Sequence, residues 1–165
     1  MRLQDVEAIF RALNEANVRY LVVGGLAVIA HGYVRATVDI DIVLHLEPEN
    51  VMRAMNALEA IGYQPLVPVD AIDFADPKKR QSWIEKKNMI VFQMRHSDPQ
   101  STRLDIFVSE PFSFSQQYER AFWDEVRGIR VPILCYDELI RLKRSSGRPQ
   151  DLGDIAELQL IKGER

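Results

Sequence analysis

The chain has 165 residues, of which 47% are hydrophobic, and its 21 Lys and Arg residues against 24 Asp and Glu residues give a formal net charge of -3. This length and hydrophobic content suit one domain with its own core, so we predict a single domain over residues 1–165. A slightly acidic chain argues against a non-specific DNA-binding protein, although it is compatible with a local basic patch.

The single cysteine and the N-terminal segment indicate the compartment. Cys135 has no second cysteine with which to form an intramolecular disulfide or a multi-cysteine zinc site, which fits a reducing environment. The N-terminal segment MRLQDVEAIF contains acids and no apolar leader, and no later stretch approaches the length that spans a bilayer. We expect a cytoplasmic protein that does not bind membranes.

Apolar periodicity and turn residues predict the elements of the first half of the chain. In order, they are an amphipathic helix from residue 3 to Asn17, a strand at 18–23, a short helix at 26–31, a strand from Asp39, and a helix from Pro48 to Ile61. Residues 63–76 show no clear period, and the run PKKRQSWIEKKN that follows carries five basic residues against one acid. We predict a mobile or insert-like loop with a short helix over this region.

The second half is predicted to open with a hairpin. Its strands are residues 89–95 and 103–108, joined by the polar turn HSDPQST. A helix at 112–122, a short strand pair or extended segment at 126–134, and helices at 136–144 and 150–161 follow. We expect Asp137 to cap the first of these last two helices. The final helix should turn Leu152, Ile155, Leu158 and Ile161 toward the core, and it places Asp151 and Asp154 one turn apart.

Three acids are the strongest candidates for chemistry. Asp39 and Asp41 share one face of their strand because side chains alternate, and Asp105 would join them if its own strand lies alongside. At an effective dielectric near 20, two unit charges about 4 Å apart repel by about 4 kcal/mol, so such a cluster needs a cation. Carboxylate oxygens suit Mg²⁺, and two ions held by shared acids can activate an attacking oxygen and stabilise a departing pyrophosphate.

The same acids have a simpler interpretation. Asp39 and Asp41 would then lie at a solvated strand end and pair with Arg35 or Arg103, in surface ion pairs worth about 0 to 1 kcal/mol. A lone acid such as Asp105 is, by itself, often only an exposed strand residue.

A glycine pair precedes the acids. Without a Cβ, Gly24 and Gly25 allow backbone N–H groups at a helix start to approach a phosphate. The GxGxxG fingerprint and the GxxxxGK[ST] loop are both absent from the sequence, which argues against a Rossmann dehydrogenase and a P-loop NTPase.

The ordered set of an apolar residue, Gly-Gly, thirteen residues, Asp39-Ile40-Asp41-Ile42 and a later Asp105 resembles the DNA polymerase beta-type nucleotidyltransferase superfamily. The segments GGLAVIAHGYVRATVDIDIVL and YDELIRLKRSSGRPQDLGDIAEL most resemble small bacterial nucleotidyltransferases that include the toxins of type IV toxin-antitoxin systems. The resemblance implies an α/β (α+β) fold: a small mixed sheet flanked by helices, with a catalytic core at about 18–110 and a C-terminal helical segment at about 136–162.

The resemblance also implies roles for individual residues. Asp39 and Asp41 would bind catalytic Mg²⁺ or Mn²⁺ ions, and Asp105 would complete the metal site and help to deprotonate the acceptor hydroxyl. The implied nucleotide-binding residues are Gly24, Gly25, Arg35, Lys143 and Asp151. Lys143 would neutralise triphosphate charge, although Lys143 and Asp151 could equally be a helix-surface cation and an early-helix acid.

The expected reaction moves a nucleoside monophosphate from an NTP to an acceptor hydroxyl. One hypothesis is an RNA acceptor, such as tRNA, with the enzyme acting as a toxin that has an antitoxin partner. A second is a small-molecule acceptor such as an antibiotic hydroxyl, and a third is a non-catalytic nucleotide-binding module. Because little more than two helices follows Asp105, we expect acceptor recognition to use the basic segment 77–87, a second subunit in a homodimer, or a partner chain.

Overall fold

The computed structural model describes residues 1–163 as a seven-stranded sheet with helices. The helices are α1 (Leu3–Glu15), α2 (Gly24–Ala30), α3 (Pro48–Ala60), α4 (Pro77–Lys87), α5 (Phe114–Glu119), α6 (Tyr136–Ser146) and α7 (Pro149–Gly163). The strands are β1 (Tyr20–Val23), β2 (Asp39–Leu44), β3 (Tyr63–Pro65), β4 (Val91–His96), β5 (Arg103–Phe107), β6 (Phe122–Val126) and β7 (Ile129–Ile133). Within this part of the chain, every helix falls short of the length and apolarity needed to cross a bilayer. The predicted mixed α/β fold is confirmed.

The sheet has the strand order β3-β4-β5-β2-β1-β7-β6, which puts β2 near its centre. β2 runs antiparallel to β1 and parallel to β5. In this register Asp41 lies opposite Val23 on one side and opposite Asp105 on the other. The three acids therefore share one face, which we call the acid face, as the alternation along each strand predicts.

The opposite face of the sheet is the apolar core. Its β2 residues Ile40, Ile42 and Leu44 are fully buried. Burying one such aliphatic side chain stabilises the fold by about 1.5–3 kcal/mol. Phe10 of α1 stacks on Tyr20 of this face, with ring centroids 5.8 Å apart. On the acid face, the first residue of α2, Gly24, lies against Asp41.

The region from residue 63 to 88 is more ordered than the sequence predicts. It forms strand β3, a 3-10 turn at Ala71–Ala75 and the eleven-residue helix α4. The buried Trp83 stacks on Phe92 of β4, with ring centroids 5.5 Å apart. The predicted short helix is present as α4, but the prediction of an insert-like loop is wrong, because this aromatic contact joins α4 to the core.

The helix predicted at 112–122 is shorter in the structure. It ends at Glu119, and Phe122 already belongs to β6. β6 and β7 form the predicted strand pair, with β6 beginning earlier than expected. Both turn residues, Arg127 (φ 52°) and Gly128 (φ 80°), have positive φ, as a two-residue hairpin turn of type I′ requires.

Two details of the C-terminal helices also differ from the predictions. The N-cap of α6 is Cys135, and Asp137 lies inside the first turn, where its charge still complements the helix dipole. Leu152 is 52% exposed, so it does not face the core as predicted. The buried side of α7 is set instead by Asp151, Asp154, Ile155 and Leu158, because ion pairs to neighbouring elements fix the rotation of the helix.

Candidate active site

The centre of the acid face is the pair Asp41 and Asp105, which are direct neighbours across β2 and β5. Asp105 is 9% exposed, and its Oδ1 is buried without a hydrogen-bond partner within residues 1–163. Leaving a buried acceptor unsatisfied costs about 1–3 kcal/mol, more for a charged group. An oxygen of this kind is suited to accept a cation or a proton that arrives with a substrate.

Burial and mutual repulsion make these carboxylates reluctant to ionise. Burial raises the pKa of Asp41 to about 6, and the charges of Asp105 and Asp39 add to the rise. Burial and the charge of Asp39 also raise the pKa of Asp105, and a hydrogen bond from Gln93 partly opposes this. Gln93 lies opposite Asp105 on β4, and the sequence analysis missed it. A bound cation would relieve the repulsion.

Asp39 is engaged by an arginine. Arg103 lies opposite Asp39 on β5. It donates from Nε to Oδ1 of Asp39 at 3.0 Å and from Nη2 to Oδ2 at 3.2 Å. The simpler interpretation is therefore correct for this contact: Asp39 takes part in an ion pair whose arginine side chain is 53% exposed. No group of three His, Cys, Asp or Glu residues within residues 1–163 is already arranged around a metal position.

The donor set nevertheless fits a hard divalent cation. Asp41 and Asp105 present carboxylate oxygens from adjacent strands, and one of those oxygens has no partner in the described part of the chain. Asp39 lies two residues before Asp41 on the same face of β2. Its carboxylate would join the other two once Arg103 moves away. The chemistry of these carboxylates suits Mg²⁺ or Mn²⁺, while the carboxylate of Asp39 is held by Arg103.

The glycine turn packs directly against the acids. Gly24 has φ 62°, and a Cβ built on it would lie 2.0 Å from Oδ2 of Asp41. A Cβ on Gly25 would lie 2.4 Å from Oγ1 of Thr37, a residue that the sequence analysis did not single out. Both positions need glycine because a side chain would occupy space already filled by Asp41 or by Thr37.

Lys143 lies inside the protein, at 5% exposure. Its Nζ donates to Oδ1 of Asp151 at 2.8 Å and to Oδ2 of Asp154 at 2.7 Å. The alternative of a helix-surface cation is therefore wrong. The structure does bring Lys143 and Asp151 together, as members of a buried ion-pair network that joins α6 to α7.

Arg35 belongs to the same network. It donates to both carboxylate oxygens of Asp154, from Nε at 2.7 Å and from Nη2 at 2.9 Å. Its Nη1 donates to the carbonyl of Ala36 at 2.8 Å and lies 3.4 Å from a Cβ built on Gly25. Arg35 thus connects the glycine turn to α7, and it does not pair with Asp39 or Asp41 within residues 1–163.

Arg148 completes the network and was not predicted as a site residue. Its Nε donates to Oδ2 of Asp151 at 2.7 Å. Burial alone would raise the pKa of Asp151, but hydrogen bonds from Arg148, Lys143 and Ser146 bring it down to about 2. In sequence, the family resemblance pointed to Arg35, Lys143 and Asp151, and the spacing of Asp151 and Asp154 by three residues puts both on one side of a helix.

Three solved structures with a similar fold are of proteins named for antibiotic adenylylation or antibiotic resistance. LnuA, a lincosamide antibiotic adenylyltransferase solved with lincomycin, is 18% identical; the match covers 94% of this chain and 95% of that chain, with a TM-score of 0.62. ANT(2")-Ia in complex with adenylyl-2"-tobramycin is 14% identical; the match covers 98% and 90%, with a TM-score of 0.61. The solution structure of ANT(2")-Ia is 15% identical, with coverage of 98% and 84% and a TM-score of 0.62.

At these identities the three structures establish a shared fold. No curated protein matches the chain in sequence. A family model described as "Nucleotidyltransferase of unknown function (DUF6036)" matches residues 1–163, which is almost the whole chain. The protein therefore belongs to this nucleotidyltransferase family and is an enzyme of that class.

Proposed function

We propose that this enzyme moves a nucleoside monophosphate from an NTP to an acceptor hydroxyl and releases pyrophosphate, with a divalent cation as cofactor. The observation that carries the proposal is the contact between Gly24 and Asp41, with the unpartnered Oδ1 of Asp105 on the next strand. The backbone that would bind phosphate and the carboxylates that would bind a cation thus lie next to each other on the acid face.

In this proposal Asp41 and Asp105 hold Mg²⁺ or Mn²⁺, and Asp39 joins them after Arg103 is displaced. The ions would neutralise phosphate charge and acidify the acceptor hydroxyl. Asp105 accepts the proton of that hydroxyl, because its Oδ1 has no other partner within residues 1–163. The main contribution of the protein is to position the two substrates and to stabilise charge.

The nucleotide would bind with its triphosphate at Gly24 and Gly25, where the absence of side chains exposes the backbone. Arg35, Lys143 and Asp151 support this end of the site. Arg35 lies beside Gly25, and Lys143 holds the two carboxylates to which Arg35 and Arg148 bind. An adenine nucleotide is the first donor to test, since two of the similar structures carry adenylyl transfer in their names.

For the acceptor, the first candidate is a small molecule with a hydroxyl group. The matched structures are named for a lincosamide and for tobramycin, and each match covers at least 84% of the known chain. This chain thus has nearly the same extent as enzymes that carry their own small-molecule site.

The second candidate is RNA, and one observation favours it. Arg95 and Arg103 are exposed and lie on the acid face, on the β4 and β5 side of Asp105. Asp105 is the only acid that β3, β4 and β5 contribute to that face. Once Arg103 leaves Asp39, as the proposed metal site requires, these two arginines beside the proton-accepting acid suit a hydroxyl that neighbours a phosphate, as at an RNA 3′ end. A toxin with an antitoxin partner, or a homodimer, would belong to this alternative.

The basic helix α4 does not support RNA binding through base stacking. Trp83 is buried against Phe74 and Phe92, so its ring is unavailable to a base. Phosphate contacts from the lysines of α4 would also lie on the side of the sheet opposite the acids, where Phe92 packs.

The test is transfer of label from each α-³²P-labelled NTP, with Mg²⁺ or Mn²⁺, to total tRNA or to a panel of aminoglycosides and lincosamides. We expect label on one acceptor class with wild-type protein and none with Asp41→Asn or Asp105→Asn. Circular dichroism would establish that the variants are folded. Wild-type protein that neither transfers label nor shows a thermal shift with any NTP and metal would refute the proposal; label on tRNA alone, with toxicity on expression, would select the second acceptor.

A further inference from the structure

Three cations lie around the glycine turn and the C-terminal helices: Arg35, Lys143 and Arg148. They share two carboxylates, Asp151 and Asp154, so the network as a whole carries one excess positive charge. Which of the three side chains can bind an anionic ligand depends on how exposed it is and on how many hydrogen bonds it already makes within the protein.

Two of the three cations are largely buried and are held by several hydrogen bonds within the protein. Every side-chain nitrogen of Arg35 donates a hydrogen bond, to Asp154 or to the carbonyl of Ala36. Lys143 is buried and donates to both shared carboxylates. Breaking either set to reach a phosphate would leave a buried carboxylate with one cationic partner fewer, which is destabilising.

Arg148 is different in both exposure and bonding. Its side chain is 75% exposed, and its Nε alone is bound, to Asp151. Its two Nη atoms have no hydrogen-bond partner within residues 1–163. Arg148 lies in the short link between α6 and α7, just after Gly147, whose φ of 64° reverses the chain direction.

The ion-pair network joins Arg148 to the glycine turn: Arg148 binds Asp151, Lys143 bridges Asp151 and Asp154, and Arg35 binds Asp154 and lies beside Gly25. The positive charges of Arg148 and Lys143 lower the pKa of Asp41, in opposition to the dominant effect of burial. Asp41 in turn contacts Gly24, so the charge of Arg148 acts on the carboxylate that packs against the glycine turn. A triphosphate that meets the glycine backbone would come within reach of a long arginine side chain at this place.

We propose that Arg148 is the side chain that binds the triphosphate of the nucleotide, and that Lys143 and Arg35 are positioning residues. A guanidinium held at Nε keeps its two Nη groups as a fork, which matches two phosphate oxygens. Asp151 holds Arg148 in place, and Lys143 holds Asp151. This inference rests on the proposed function, because it requires an NTP at the glycine turn.

The test compares Arg148→Gln, Arg148→Lys and the control Arg144→Gln. Arg144 is an exposed arginine of the last turn of α6, with no ion-pair partner within residues 1–163. Affinity for ATP with Mg²⁺, and for AMP and adenosine, would be measured by calorimetry, and stability by thermal melts. The loss of affinity in the Arg148 variants should increase with the number of phosphates on the ligand.

We expect Arg148→Gln to weaken ATP binding about tenfold or more, as for the loss of charge-assisted hydrogen bonds, with adenosine affinity unchanged. Arg148→Lys should lose about threefold, because it keeps the charge and loses the fork. Wild-type ATP affinity in Arg148→Gln, with a lowered melting temperature, would assign Arg148 a structural role and overturn the inference. Failure of the wild-type protein to bind any NTP would instead refute the proposed function.

Discussion

Gly24 and Asp41 pack so closely that no side chain on Gly24 would fit between them. An ideal Cβ on Gly24 would lie 2.0 Å from Oδ2 of Asp41 and 2.8 Å from its Cβ, closer than non-bonded atoms can approach. The left-handed φ of 62° at Gly24 brings its backbone against Asp41, which follows seventeen residues later as the second acid of β2. The geometry of the glycine turn and that of the acid face are therefore one structural feature.

Gly24→Ala should disrupt this feature. The new Cβ needs Asp41 to move and holds alanine at a left-handed φ, so we expect the free energy of unfolding to fall by about 2 kcal/mol or more. Nucleotide binding should be lost with it. Urea unfolding monitored by circular dichroism would measure the change.

Gly153→Ala is the matched control. Gly153 lies in α7, and a Cβ there meets nothing within 4 Å, so alanine should stabilise the helix by about 0.5–1 kcal/mol. Equal effects of the two substitutions would contradict the contact between Gly24 and Asp41.

Lys143→Met should destabilise the fold strongly. It leaves Asp151 and Asp154 buried with one cationic partner fewer, and removing one partner of a buried ion pair typically costs about 3–5 kcal/mol. Arg144→Met, on the exposed side of the same helix, serves as control and should change stability little. A loss below about 1 kcal/mol in urea unfolding would argue against the buried network.

Arg103→Gln should release Asp39 for metal binding. The pair is partly exposed and worth about 0 to 1 kcal/mol, so stability should hardly change. Affinity for Mn²⁺, measured by calorimetry without nucleotide, should rise a few-fold because a competing cation is gone. Arg95→Gln removes an arginine from the same face without freeing an acid; if it raised Mn²⁺ affinity equally, the effect would be one of general charge.

Asp41→Asn should stabilise the protein above pH 6 when divalent cations are chelated. The pKa of Asp41 is about 6 in the folded protein and 3.8 as its ordinary value, so between these pH values the folded state holds a proton that the unfolded chain has released. Wild-type stability therefore falls as pH rises through this window, by at most about 3 kcal/mol. Asparagine does not ionise and escapes this loss.

Thermal and urea unfolding in EDTA at pH 4 to 8 would test the expectation. The stability difference between Asp41→Asn and wild type should be smallest near pH 4 and reach its maximum above pH 6. A difference that does not change with pH would show that Asp41 ionises in the folded protein as easily as in the unfolded chain.

Local patterns determined much of this fold. Alternation along β2 placed Asp39 and Asp41 on one face and Ile40 and Ile42 in the core, because strand geometry ties each side chain to its position in the sequence. The hairpin of β4 and β5 followed from its polar turn. These features depend only on neighbouring residues, so the sequence is sufficient to predict them.

Contacts between distant segments required the tertiary structure. The sequence offered both Arg35 and Arg103 as partners for the acids of β2, and only the pairing of β2 with β5 decided in favour of Arg103. Arg35 went to Asp154, 119 residues away, once α7 had packed beside the glycine turn. A charged side chain can pair with any opposite charge in reach, and reach is decided by the packing of the elements.

The glycine pair and the acids were thus present in the sequence as candidates, through spacing and alternation alone. The sequence could not tell that Lys143 is buried or that Arg148 is the exposed end of its network, because α6 and α7 both carry charges on several sides. The rotation of α7, which buries Asp151 and exposes Leu152, is fixed by ion pairs to other elements. Local periodicity determined where the acids lie, and long-range electrostatic pairing decided which cations remain available to a substrate.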